Sequence, residues 1–246
     1  MKAIGIIPAR FQSTRLPGKP LVPIAGKSLI QRVYENVSQC HRLDELIVAT
    51  DDERIMKEVR SFGGKAVMTP SALASGTDRC AFVAKSLDAD IIVNIQGDEP
   101  FLDIRLLDWA IKLLTDVPDI NIVTAAKVGI STDELNNPNV VKVLVDKNQN
   151  ALYFSRQNIP YIRNHEALTV HPAMQHIGIY VFRQHYLQKF VELPQTLLEQ
   201  LEQLEQLRIL ENGEKIRVVL TDKISLGIDT MDDVNHAERI LKSNEA

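Results

Sequence analysis

The chain alternates between short uninterrupted apolar runs and longer stretches where apolar residues recur every three or four positions. Residues 3–7 (AIGII), 45–50 (ELIVAT), 65–69 (KAVMT), 90–95 (DIIVNI) and 121–128 (NIVTAAKV) are of the first kind. Apolar runs of this length predict strands buried on both faces. The second kind predicts helices: one from Ser28 to about Cys40, and one over DERIMKEVRSF, capped by Asp51 and closed by Gly63-Gly64. Two more follow, within SGTDRCAFVAKSL and over IRLLDWAIKLL behind Asp103. Strands and helices in this alternation imply an α/β fold with a mainly parallel sheet.

The pattern changes in the middle. NPNVVKVLVDKNQNALYFS predicts two strands around the turn DKNQN, and this region, up to about residue 190, can leave the main sheet. LLEQLEQLEQLRILENG (197–213) reads as one amphipathic helix with Leu198, Leu201, Leu204 and Leu207 on one face, ended by Gly213. KIRVVLT returns to strand. A last helix over DTMDDVNHAERILKS opens on Thr230 and Asp233 at capping-box spacing. No linker or low-complexity tail interrupts this order, so the 246 residues predict a single domain with an insertion at about 130–195.

Charge narrows the function classes. A net charge of -4 and a pI near 5.9 argue against nucleic acid as a partner. No apolar run approaches the ~20 residues of a membrane span. Cys40 and Cys80 stand apart without metal or redox spacing and read as core thiols of a reducing compartment. The acid-poor start is not expected to be a targeting peptide, because Pro8, Pro17, Pro20 and Pro23 would break its helix. A cytoplasmic protein is expected.

That start is nevertheless unusual. Lys2, Arg10, Arg15, Lys19, Lys27 and Arg32 fall within the first 34 residues, which hold no Asp or Glu. AGKS resembles the end of a phosphate-binding P-loop, but Leu21 stands where that motif needs glycine. The loop PARFQSTRLPGKP still lies beyond the carboxyl end of a parallel strand, where open sheets bind ligands. Arg10, Arg15 and Lys19, with Gly18 for close backbone approach, suit an anion such as a phosphate chain. In NIQGDEPFL, Asp98 follows another buried strand, as a carboxylate placed for Mg2+ against bound phosphates. Asp229 in SLGIDTMDD, read alone as an N-cap, pairs with Asp98 as a second metal carboxylate.

Taken in order, PARFQSTRLPGKPL, IVATDDERI, GGKAVMT, SGTDR, VNIQGDEP, ALYFSR, HIGIY, LEQLRIL and GIDTMDD closely resemble the 3-deoxy-manno-octulosonate (Kdo) cytidylyltransferases, from Ile4 to about Leu241. The resemblance implies a Rossmann-like nucleotidyltransferase with an inserted dimerisation region. It implies transfer of CMP from CTP to the anomeric oxygen of Kdo, with release of pyrophosphate, for lipopolysaccharide biosynthesis. Mg2+ is the implied cofactor and a homodimer the implied active form. Residue by residue it implies Ala9, Arg10, Arg15, Lys19, Ser75, Gly76, Arg79, Gln96 and Asp98 around the nucleotide. Asp98 and Asp229 would hold metal, and Lys19, Asp98 and Asp229 would be the catalytic set. For the sugar acid it implies Gln96, Arg156, His176, Tyr180, Glu205 and Gln206, a mixture of one cation with hydrogen-bonding groups that suits an anionic polyol. Departures from the family pattern are Asp78 where Glu is common, and Ile162 and Asn164 beside Arg163. Glu99 is retained, which favours Kdo over its 8-amino analogue. Two alternatives are kept: a cytidylyltransferase for another acceptor, such as 8-amino-Kdo or a sialic acid, and a nucleotide-binding sensor without chemistry.

Overall fold

In the computed structural model β1 (Ala3–Ala9) is buried along nearly its whole length. It is held at its start by the Asp44 carboxylate, which accepts the Ala3 N–H at 2.8 Å. Residues 1–12, 16–164, 170–223 and 226–244 are described. The chain divides into two units, Met1–Asp108 with Ser225–Ala246, and Trp109–Ile224.

In the first unit the chain leaves β1 through a 3-10 turn at Lys19–Leu21 and a small hairpin, β2 (Pro23–Ile24) and β3 (Lys27–Ser28). α1 (Leu29–Val37) follows, its first turn capped by the Ser28 hydroxyl. Then come β4 (Glu45–Thr50), α2 (Glu53–Ser61), β5 (Lys65–Met68), α3 (Gly76–Ala84), β6 (Ile91–Asn94) and the start of α4 (Ile104–Asp116). The strands lie in the order β6-β1-β4-β5, and every pair is parallel. After β1 the chain winds outward through β4 and β5, then crosses to the other side of β1 for β6. That reversal makes the gap beyond the carboxyl ends of β1 and β6 a topological switch point, where open α/β sheets take their ligands.

The α2 cap is Asp52, whose carboxylate accepts the Arg54 N–H at 2.9 Å, and not Asp51 as the sequence suggested. Asp51 is drawn away by the buried Arg79 guanidinium, 2.9 Å distant.

The second unit holds β7 (Ile122–Lys127), α5 (Thr132–Asn136), β8 (Lys142–Val145), β9 (Ala151–Ser155), β10 (Met174–Arg183), α6 (Gln184–Glu192), α7 (Leu197–Glu202), α8 (Gln206–Glu211) and β11 (Arg217–Thr221). β8 and β9 form the expected antiparallel pair. β10 runs antiparallel to β7 and β8, and β11 runs parallel to β7. The single helix expected over 197–213 is instead two. Gln203 takes a left-handed conformation, φ 53°, between α7 and α8. Leu204 and Leu207 are buried while Leu201 is 70% exposed, so the four leucines do not share one face. α9 (Met231–Asn244) closes the chain in the first unit, with Thr230 and Asp233 capping it reciprocally as their spacing predicts.

Candidate active site

β1 and β6 end side by side. The segment after β6 is drawn against the end of β1, and Gly97 permits this: a Cβ there would stand 3.0 Å from the Pro8 carbonyl oxygen. The 226–230 segment joins them through a hydrogen bond from the Ile228 N–H to the Asp98 carbonyl, 2.9 Å. Asp229 is then fixed from α9, because its N–H donates to the Asp233 carboxylate at 3.0 Å. Burial opposes the charge on Asp233, but this bond and those from Thr230 outweigh it and hold the carboxyl below its usual range.

Lys19 completes the arrangement from the opening loop. Gly18, at φ 68°, is the left-handed residue that starts the 3-10 turn, and its N–H donates to the Phe11 carbonyl. Lys19 Nζ therefore reaches both acids, 2.6 Å from Asp98 Oδ2 and 2.8 Å from Asp229 Oδ1. Burial disfavours its charge, yet the attraction and hydrogen bonds of the two carboxylates prevail and hold its pKa above the ordinary lysine value. Lys19 is a fixed cation at any working pH. Residues 79 and 210 positions apart in the sequence thus meet on one nitrogen.

Gly18→Ala tests the loop. Its Cβ would meet the Phe11 ring at 3.2 Å on a backbone that L-residues resist. A loss of about 1–2 kcal/mol is expected in urea unfolding, with a rise in KM for the nucleotide. Unchanged stability would show that the turn does not need its left-handed residue.

The three charged groups border a cavity of about 420 Å³, lined also by Arg10, Gln96 and Gly97. That volume is in the range of small-molecule sites. Arg10 is exposed at its rim, with one guanidinium N–H donated to the Ala74 carbonyl at 3.4 Å. Ala9 is buried at the end of β1. Ser75 caps α3 and Gly76 begins it, so both serve this helix terminus. Arg79 takes a different place. Its side chain is wholly buried and pairs with Asp51 and the Thr69 hydroxyl, so it braces the wall behind the site. Arg15 lies outside the described residues.

Asp98 and Asp229 fit a hard divalent cation. The two carboxylates converge on the Lys19 ammonium through one oxygen each, and their side chains remain 31% and 41% exposed, open to further ligands. No group of three or more His, Cys, Asp or Glu suited to a metal occurs among the described residues. Two carboxylates completed by phosphate and water is the coordination Mg2+ favours.

The remaining candidates belong to the second unit. His176 and Tyr180 on β10 have ring centroids 5.6 Å apart, and the Tyr180 hydroxyl is 3.2 Å from His176 Nε2. Burial pushes the His176 imidazole down to about 3, so it is neutral at working pH. Burial, then the negative charge of Glu205, raises the Tyr180 phenol well above its usual value. Glu205 and Gln206 stand at the start of α8, Gln206 nearly buried. Arg156 is already engaged: its guanidinium donates to the carbonyls of Glu202 (2.8 Å), Pro138 (3.0 Å) and Gln203. Sequence reasoning passed over Glu202, which accepts from the Ser155 hydroxyl at 2.6 Å and the Arg156 N–H at 2.9 Å. It also passed over Lys142, wholly buried, whose ammonium donates to the carbonyls of Asn137, Val140 and Arg156. A lysine inside the apolar run VVKVLV was the available signal.

Residues 4–216 match the model of a cytidylyltransferase family. A 3-deoxy-manno-octulosonate cytidylyltransferase of Phocaeicola vulgatus is 50% identical over 100% of this chain and 99% of its own length. One of Bacteroides thetaiotaomicron is 49% identical over 99% of each. A solved structure of CMP:2-keto-3-deoxy-manno-octonic acid synthetase complexed with CTP covers 99% of this chain and 100% of its own, at 41% identity and TM-score 0.94. The 4-diphosphocytidyl-2C-methyl-D-erythritol synthase of Anaerococcus prevotii shares the fold alone, at 17% identity and TM-score 0.64. With a cytidylyltransferase model matched over most of its length and full-length relatives near half identical, the chain belongs to the 3-deoxy-manno-octulosonate cytidylyltransferases.

Proposed function

We propose that the chain transfers CMP from CTP to the anomeric oxygen of Kdo and releases pyrophosphate. The observation that carries this reading is the Lys19–Asp98–Asp229 cluster at the switch point of a parallel sheet. Membership of a cytidylyltransferase family and the CTP held by a structural relative support the nucleotide.

Asp98 and Asp229 would hold Mg2+, which when bound neutralises phosphate charge and makes a hydroxyl more acidic. Lys19 has three N–H donors, and the two acids occupy two of them. Among the described residues its third meets no acceptor and can go to a phosphate oxygen, and its permanent charge favours negative charge gathering on the departing pyrophosphate. Arg10 adds a second cation at the rim, and Arg15 a third by family resemblance. Gln96, Ser75, Gly76 and the backbone at Ala9 orient the nucleotide, while Arg79 acts through the wall it braces. In the second unit His176, Tyr180, Glu205 and Gln206 supply neutral and acidic partners for acceptor hydroxyls, with Arg156 tying the β9 end to the end of α7.

The same reading takes Mg2+ as cofactor, a homodimer built with the 130–195 region, and a cytoplasmic setting in lipopolysaccharide biosynthesis. Exposed Leu152, Tyr161 and Val170 in that region support the dimer. No helix among the described residues is long and apolar enough to cross a membrane.

The test is pyrophosphate release with CTP, Mg2+ and Kdo, against wells lacking Kdo or offering 8-amino-Kdo, a sialic acid or other nucleoside triphosphates. Release confined to CTP with Kdo is expected. Release with another acceptor would overturn the sugar assignment, and CTP binding without release in any well would favour a sensor.

A further inference from the structure

β10 contains an irregularity that no role has yet absorbed. Its register against β7 runs His176↔Ala126 and Ile177↔Ala125, then jumps to Tyr180↔Thr124. Gly178 and Ile179 are therefore inserted, and Tyr180 takes the ladder position Gly178 would have held. This bulge moves Tyr180 up beside His176, which accounts for the close approach of their rings. A bulge also detaches carbonyls from the ladder. Thr124, wholly buried and directly opposite, meets them: its Oγ1 lies 2.7 Å from the Ile179 carbonyl and 3.3 Å from that of Ile177.

The same oxygen is 3.0 Å from His176 Nε2. A threonine hydroxyl has one proton to give. Its nearest acceptor is the Ile179 carbonyl, a stronger claim than the 3.3 Å contact. With that proton committed, Thr124 Oγ1 faces the imidazole only as an acceptor, and Nε2 must carry the hydrogen. The remaining ring nitrogen, Nδ1, then bears the lone pair. Tyr180, 3.2 Å from the same Nε2 and also in reach of the Thr124 hydroxyl, can share that N–H as an acceptor and keeps its own phenolic hydrogen for donation.

We propose that Thr124 is a positioning residue for acceptor binding: its hydroxyl clamps the β10 bulge and fixes His176 as the Nε2–H tautomer, leaving one ring lone pair and one phenol O–H as the paired acceptor and donor for a polyhydroxylated ligand. The inference rests on the reading of His176 and Tyr180 as contacts to the acceptor sugar. It explains why neither needs a charge, since adjacent sugar hydroxyls are matched by one donor and one acceptor.

The test uses full-length protein labelled with 15N-histidine, with the signals of the six histidines assigned to His176 through His176→Gln. Long-range 1H–15N spectra distinguish the two tautomers directly. Wild type and Thr124→Ser are expected to show Nε2–H at His176. Thr124→Val, which keeps the shape and loses the hydroxyl, is expected to shift His176 toward Nδ1–H. It should raise KM for Kdo about 10-fold and leave KM for CTP within about 2-fold. Thr124→Ser should restore both. An Nδ1–H signal in wild type overturns the proposal even if the valine variant fails to fold, as does an unchanged tautomer in a folded valine variant. A changed tautomer with unchanged KM for Kdo overturns the positioning role and with it the reading of His176 as a sugar contact. Failure of wild type to use Kdo while the tautomer assignment holds faults the proposed reaction instead.

Discussion

Asp98→Asn is expected to lower kcat with CTP and Kdo by roughly 10³-fold, and Asp229→Asn by a similar factor. Asparagine keeps the shape and an oxygen acceptor for Lys19 but removes the charge that would hold Mg2+. Because the two acids meet on one point, they act as a unit. The double variant should lose little more than either single one, since removing one carboxylate already dismantles the pair. Folding should survive: both acids are partly exposed, so each contributes little to stability. A second readout separates metal binding from general damage. Without Mg2+, a carboxylate repels the triphosphate, so CTP should bind the single variants more tightly than wild type in calorimetry. With Mg2+ that order should invert. Activity within about 10-fold of wild type in either variant would refute the metal assignment.

How much of this site could be read from the chain depended on how local its causes are. Asp98 and Asp229 were legible one at a time because each follows a short apolar run, and Lys19 because its cationic loop lies beyond a strand end, where open sheets bind ligands. Their meeting on one ammonium was not, since nothing local links positions 79 and 210 residues apart. The buried strands β1, β4 and β6 were plain for the same local reason, as were the Ser28 and Thr230 caps. The helix break at Gln203 was hidden. At the break the Arg156 guanidinium takes the Glu202 and Gln203 carbonyls that a continuing helix would use, from 46 and 47 residues away. Leucine spacing alone cannot report a tertiary pull of that kind. The exchange of Asp51 for Asp52 as the α2 cap has a similar origin, because Arg79 competes for Asp51 from α3. Thr124 gave no signal at all: a threonine in a strand is ordinary until the opposite strand bulges.

The largest stability effect is expected in the second unit, at Glu199 and Arg208. Glu199 sits in the first turn of α7 and Arg208 in α8, with side chains 4% and 9% exposed. The pairing is bidentate, Nε to Oε2 at 2.8 Å and Nη2 to Oε1 at 2.5 Å. The guanidinium also donates to the Leu193 carbonyl at 3.2 Å and lies 4.8 Å from the Phe190 ring centre. Glu199 further accepts the Thr196 N–H that starts α7. Glu199→Ala strands a buried guanidinium and loses this cap, for a cost of about 3–5 kcal/mol. Arg208→Met strands the carboxylate instead and should cost about 3 kcal/mol. An apolar pair avoids both unpaired charges, so Glu199→Leu with Arg208→Met should cost less than the sum of Glu199→Leu alone and Arg208→Met alone.

The one tryptophan, Trp109, belongs to this unit, so its fluorescence in urea follows the unit in question. The same variants carry a functional expectation. α8 begins at Gln206, two residues before Arg208, with Glu205 as its N-cap. Loosening α8 should therefore raise KM for the acceptor while KM for CTP holds, because Lys19, Asp98 and Asp229 belong to the other unit. A lower apparent kcat with both KM values unchanged would place the defect in global unfolding, which only reduces the amount of active protein. A Glu199→Leu/Arg208→Met protein as stable as wild type would mean that the buried pair only breaks even with its own desolvation, and a Glu199→Ala protein as stable as wild type would refute the stranded charge.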